Sequence, residues 1–127
     1  MHLHAVTLVV PDYDAGIAFY RDAVGFEVIS DRDMGGGKRW VLLRPPGGEA
    51  ALLLARAADP AQEAAVGNQT GGRVAFFLMS GDFAADHARM VAAGVDFLEA
   101  PRHESYGTVA VWRDPFGNRW DLLQLAR

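Results

Sequence analysis

Asp121 is the one charge in Trp120-Asp-Leu-Leu-Gln-Leu125, an apolar run that should be well covered. A carboxylate taken out of water needs a partner, and one without a partner holds its proton harder, which suits a general base. A salt bridge to Arg73 or Arg119 is the structural alternative, and the sequence leaves both readings open. Arg73 opens an otherwise apolar run, where a guanidinium offers a fixed bidentate donor to a carboxylate or phosphate. The plainer reading is a strand-end arginine in water. Trp40, beside Arg39, is either core or an aromatic wall for a ligand. Trp112, Trp120, Phe77 and Tyr106 add flat apolar surface, most of it expected to go to core packing. His103 and Glu104 fall in a turn-rich segment, residues 101–107, of the kind that rims binding sites or simply faces solvent. His87 is spaced with Phe83 and Met90 as a partly buried helix residue.

Other chemistries lack their residues. Gly35-Gly-Gly37 is not followed by the Gly-Lys-Ser/Thr of a phosphate loop, and there is no Gly-x-Ser-x-Gly elbow. The chain has no cysteine, so neither a disulfide framework nor a zinc-thiolate site is available, and a reducing, cytoplasmic setting is expected. Net charge is −4 with no basic run, so no nucleic-acid partner is expected. No segment approaches the length of a membrane span, so no membrane partner is expected either.

These residues need elements to hold them. At 127 residues, half of them apolar, the chain forms one compact domain or two small packed modules. Residues 3–10 read as a buried strand that Pro11 ends. Asp12 caps a helix through Val24, with Gly25 at its C-terminal stop. Residues 26–29, 39–43 and 50–55 supply three strands, the last read from its short length and flanking breakers against the helix preference of Ala and Leu. Residues 58–72 are the linker, with a short helix at 60–66. The pattern then recurs. Residues 74–79 are a strand, Asp82 caps a helix that Gly94 stops, and residues 95–98 alternate. Two strands around the Asp114-Pro-Phe-Gly-Asn118 turn close the chain as a hairpin. Each half reads β-α-β-β-β, module one being 1–57 and module two 73–127.

Asp114-Pro-Phe-Gly-Asn-Arg-Trp-Asp-Leu resembles the Asp-Pro-x-Gly-Asn-x-x-Glu-Leu signature of the vicinal oxygen chelate superfamily, which includes glyoxalase I, bleomycin-resistance proteins and extradiol dioxygenases. Val6-Thr-Leu-Val-Val-Pro-Asp-Tyr-Asp, Phe19-Tyr-Arg-Asp-Ala-Val-Gly-Phe and Ala92-Ala-Gly-Val extend the resemblance over nearly the whole chain. It implies an α+β fold of two βαβββ modules whose curved mixed sheets surround a cleft, often in a homodimer. Members that use a divalent metal take His from first strands and carboxylates from last strands. Here those positions hold Ala5, Ala75 and the side chains of Ala51-Leu-Leu-Leu, and only Asp121 keeps its carboxylate. His4 lies one residue off, which turns a strand side chain to the opposite face.

The expectation is therefore a protein that binds a small aromatic or anionic molecule without the usual metal. Its site residues would come from Arg73, Trp40, Phe77, His103, Tyr106 and Asp121. One alternative is a lyase, isomerase or dioxygenase, either using zinc, nickel, manganese or iron through His4, His103, Glu104 and Asp121, or metal-independent with Asp121 as base. Another is an interaction module with a closed cleft.

Overall fold

The computed structural model describes all 127 residues, which fall into two compact units, Met1–Val66 and Gly67–Arg127. In the first, β1 (Ala5–Val10) leads through Asp12, whose carboxylate accepts from the Ala15 N–H at 2.8 Å, into α1 (Tyr13–Ala18). The helix widens into π-type turns over Phe19–Val24 and stops at Gly25, whose φ of 96° suits a residue without a side chain. β2 (Glu27–Gly35), β3 (Lys38–Arg44) and β4 (Ala51–Arg56) follow. Then comes α2 (Pro60–Ala65), capped by Asp59 with proline in its first turn.

The sheet runs β1-β4-β3-β2, with β1 and β4 parallel and the other pairs antiparallel. Leu8, Val10, Val41, Leu43 and Leu54 are almost wholly buried on it. Gly16 lets α1 approach closely: a Cβ there would sit 2.9 Å from the Leu54 side chain and 3.3 Å from that of Val10.

The second unit repeats the plan with β5 (Phe76–Met79), α3 (Phe83–Ala92), β6 (Asp96–Phe97), β7 (Arg102–Glu104), β8 (Gly107–Arg113) and β9 (Arg119–Leu125). Its order is β5-β9-β8-β6, with β7 also paired to β8, and β5 and β9 are parallel. The α+β class and the twofold recurrence of βαβββ stand as the sequence indicates.

Three elements differ from their sequence outline. β2 continues through Ser30, Asp31, Arg32 and Asp33, because Arg39 on β3 binds Asp31 at 2.7 Å and Asp14 at 2.8 Å, satisfying charges that disguise the strand. The run 95–98 yields only two strand residues. The segment 101–107, outlined as a turn-rich loop, contains β7, where Arg102 pairs with Val109 and His103 with Thr108.

The Asp114–Asn118 turn is a closed polar unit. One Asp114 carboxylate oxygen accepts from the N–H of Phe116 and of Asn118, both at 2.9 Å. The other accepts from the Asn118 side-chain amide at 2.7 Å. Both residues are buried, so this part of the signature builds the hairpin and offers nothing to a ligand.

Candidate functional site

Strand alternation sorts the second sheet's side chains onto two faces. On one, Trp112 and Trp120 stack with ring centroids 5.0 Å apart and Phe76 lies 4.6 Å from Trp120. This face packs under α3, where the Gln124 side chain accepts from the Phe83 N–H and His87 is held between Phe83 and Phe97. The other face carries Val109 and Val111 from β8, Asp121 and Leu123 from β9, and Phe77 and Met79 from β5. Phe77 stands in register with Asp121, Met79 with Leu123, and Val111 with Asp121. Phe77 is 62% exposed, Met79 53% and Leu125 55%. A carboxylate is thus set among large apolar side chains, several of them bare.

Asp121 itself is partly buried, and its Oδ1 is sealed from solvent with no hydrogen-bond partner. Neither Arg73 nor Arg119 forms an ion pair, so the salt bridge considered from the sequence is absent. Burial pushes the Asp121 carboxyl above its ordinary range. Arg102 pulls it back in part and Glu99 adds to the rise. Those two neighbours are committed to each other: Arg102 binds Glu99 at 2.7 Å and Glu104 at 2.9 Å, while the second Glu99 oxygen accepts from the Val111 N–H at 2.9 Å.

A raised carboxyl pKa makes ionisation of Asp121 a cost to folding. The cost is absent below the ordinary value near 3.8, grows between that value and the raised folded-state value, and is constant above it. Asp121→Asn should therefore stabilise the protein once the pH is above that window, with the gain fading on acidification. Melting curves of both proteins across pH check this, and a gain that grew toward acid would contradict it.

The remaining candidates are distributed unevenly. Tyr106 is exposed in the β7–β8 turn. Glu104 pairs in register with Gly107. His103 is in register with Thr108, and its Nδ1 lies 3.2 Å from Thr108 Oγ1, so alternation places it on the face opposite Asp121. Arg73 precedes β5, which begins only at Phe76, and is exposed. In the first unit Trp40 is exposed on β3, opposite Arg32, while Arg44, on the same strand face, has a buried Nε without a partner. His4 lies just before β1, edge-on to His2 at 6.3 Å. Sequence reasoning passed over Glu99, Arg102 and Met79. Arg102-His-Glu104 is polar at every position and so carries no apolar alternation to mark it as a strand.

The metal that the family resemblance implies does not fit these residues. Ala5 and its register partner Ala51 offer methyl groups, as does Ala75, and Leu52 and Leu53 offer no donor. Tight divalent sites need several donors converging at roughly 2.0 to 2.2 Å. Zinc, nickel or manganese should therefore move the melting temperature no more than they move that of Asp121→Ala. A shift of several degrees that this variant loses would contradict the donor argument.

A family model described as the Glyoxalase/Bleomycin resistance protein/Dioxygenase superfamily matches residues 2–122. An uncharacterized protein of Shewanella frigidimarina (strain NCIMB 400) is 48% identical over 122 residues, covering 94% of this chain and 90% of the relative. Among solved structures, UcmS2 superposes with a TM-score of 0.84 at 30% identity, covering 97% of each chain. TnmS3, described as an antibiotic binding protein from Streptomyces sp. CB03234, gives 0.80 at 28% identity, covering 99% of this chain and 97% of its own. No helix of the chain is long and apolar enough to cross a membrane.

Proposed function

This chain belongs to the Glyoxalase/Bleomycin resistance protein/Dioxygenase superfamily, and from that premise we propose that it binds a small, flat, largely apolar molecule without changing it chemically. The observation that carries the reading is the face of the second sheet, where exposed Phe77, Met79 and Leu125 lie on the same side as one partly buried carboxylate. Bare apolar side chains gathered on one face mark a surface that something covers. TnmS3 is described as an antibiotic binding protein, and holding a small organic molecule is the property this chain would share. The reading keeps Phe77 and Asp121 at that face.

Calorimetric titration with planar aromatic compounds tests it. Phe77→Ala should weaken a bound compound by roughly 1 to 2 kcal/mol, as the loss of an aromatic anchor does. Because Phe77 is exposed, the same change should leave stability within about 0.5 kcal/mol. Binding indifferent to Phe77→Ala would remove this face from the reading.

A second reading rests on Asp121 alone: an unpaired carboxyl with a raised pKa suits a metal-independent base in a lyase or isomerase. Turnover of a bound compound, abolished by Asp121→Asn, would favour it. The proposal also takes the protein as a homodimer, since exposed Leu3, Met34 and Val91 leave apolar surface elsewhere on both units, and as cytoplasmic, in keeping with its lack of cysteine. Sedimentation at micromolar concentration should show the dimer, and a monomer there would remove that part.

A further inference from the structure

We propose that Asp121 is the anchor for a protonated nitrogen, so that the molecules taken by the Phe77–Met79–Leu125 face are planar amines or amidines rather than neutral or anionic aromatics. The inference rests on the binding reading above and gives that ligand a charge. An arginine stands two residues away on the same strand face, yet Asp121 Oδ1 has no donor. Arg119 does not fold over to it, and Arg113, in register with Arg119, is tied to Asp96 at 2.7 Å. Beyond β8, the one guanidinium close enough to act on Asp121 is Arg102, already held by Glu99 and Glu104.

Three carboxylates, Glu99, Glu104 and Asp121, thus outnumber the two guanidinium groups beside them, Arg102 and the unpaired Arg119, and Asp121 is the member left without a donor. An anion brought to this face would meet that surplus. A cation would donate to the other carboxylate oxygen, the one not sealed from solvent, and so offset the charge of a group whose buried Oδ1 has no donor of its own. A charge-assisted hydrogen bond of this kind is the strong type, and its loss corresponds to a tenfold to roughly hundredfold change in affinity. Phe77 and Met79, in register beside Asp121 and Leu123, offer the flat contact for the rest of the molecule.

The test uses three planar probes of similar size and different charge: proflavine as the cation, anthracene methanol as the neutral compound and anthracene carboxylate as the anion. Each is titrated by fluorescence at neutral pH into the wild-type protein, Asp121→Asn, Phe77→Ala and Arg73→Ala. Glu63→Gln, an exposed change in α2, serves as the control for net charge. The expected result is proflavine tightest and the carboxylate weakest. Asp121→Asn should reduce proflavine affinity at least tenfold while leaving anthracene methanol unchanged and the melting temperature no lower, and Glu63→Gln should leave all three unchanged.

Equal affinity for the three probes, or proflavine binding unaffected by Asp121→Asn, would overturn the anchor while leaving the aromatic surface in place. Tightest binding of the carboxylate, lost in Arg73→Ala, would overturn it in favour of an anionic ligand. No binding of any probe, with Phe77→Ala indistinguishable from wild type, would remove the binding reading and the anchor with it.

Discussion

Replacing Asp114 with alanine should cost about 3 to 5 kcal/mol and place the protein near the edge of folding. Its carboxylate accepts the N–H groups of Phe116 and Asn118 and the Asn118 side-chain amide, all within 2.9 Å. Asn118 is almost wholly buried, so its two donors would be left without acceptors in a place water does not reach. Each orphaned donor costs roughly 1 to 3 kcal/mol, and two or three together reach the predicted range. Urea denaturation compares the variant with wild type. Asp114→Asn is the informative companion, because one oxygen remains to accept a backbone N–H, and it should recover part of the loss. A loss below about 1 kcal/mol for Asp114→Ala would mean that the turn closes without this network.

The same turn shows how much of the molecule the sequence discloses. Asp114, Pro115, Gly117 and Asn118 announce a reversal through local backbone preferences, and a local cause is what a sequence states most clearly. The Asp12 and Asp82 caps are legible for that reason: each is one side chain accepting an N–H three residues on. β2 is harder, since its polar second half becomes a strand only through Arg39, whose pairing with Asp31 and Asp14 is tertiary. Short β7 is hidden in the same way, because its place depends on β8.

The site divides along the same line. Asp121 is evident as a lone charge in an apolar run, but whether it would be paired was open, because Arg73 and Arg119 lie at plausible places in the sequence. Only the three-dimensional arrangement shows that Arg102 is occupied by two glutamates and that Asp121 is left over. Trp112, Trp120, Phe77 and Tyr106 look alike in sequence, and alternation places only the two tryptophans under α3. A residue that destabilises the fold where it stands is the kind retained for binding, which is why Asp121→Asn should raise stability and lower cation affinity together.

Gly107→Ala should be as damaging as Asp114→Ala, and its effect should reach the site. Gly107 begins β8 in register with Leu125 and has a φ of 151°, which side chains with L chirality rarely adopt. A Cβ there would fall 2.1 Å from the Gln124 carbonyl oxygen and 2.9 Å from the Leu125 Cα. Both are backbone atoms of β9, so no side-chain rotation relieves the overlap and the strands must part at this end. The conformational strain alone is worth about 1 to 3 kcal/mol. Lost pairing at the strand end adds to it, for a total on the order of 3 kcal/mol or more. Hydrogen exchange should locate the damage, with amides of residues 107–109 and 123–126 losing protection before those flanking Asp114. Because Asp121, Leu123 and Leu125 share β9, a variant that still folds should bind a planar ligand more weakly although Gly107 has no side chain to touch it. Full stability, or lost stability with protection unchanged in β9, would show that β8 accommodates the methyl group without moving its neighbour.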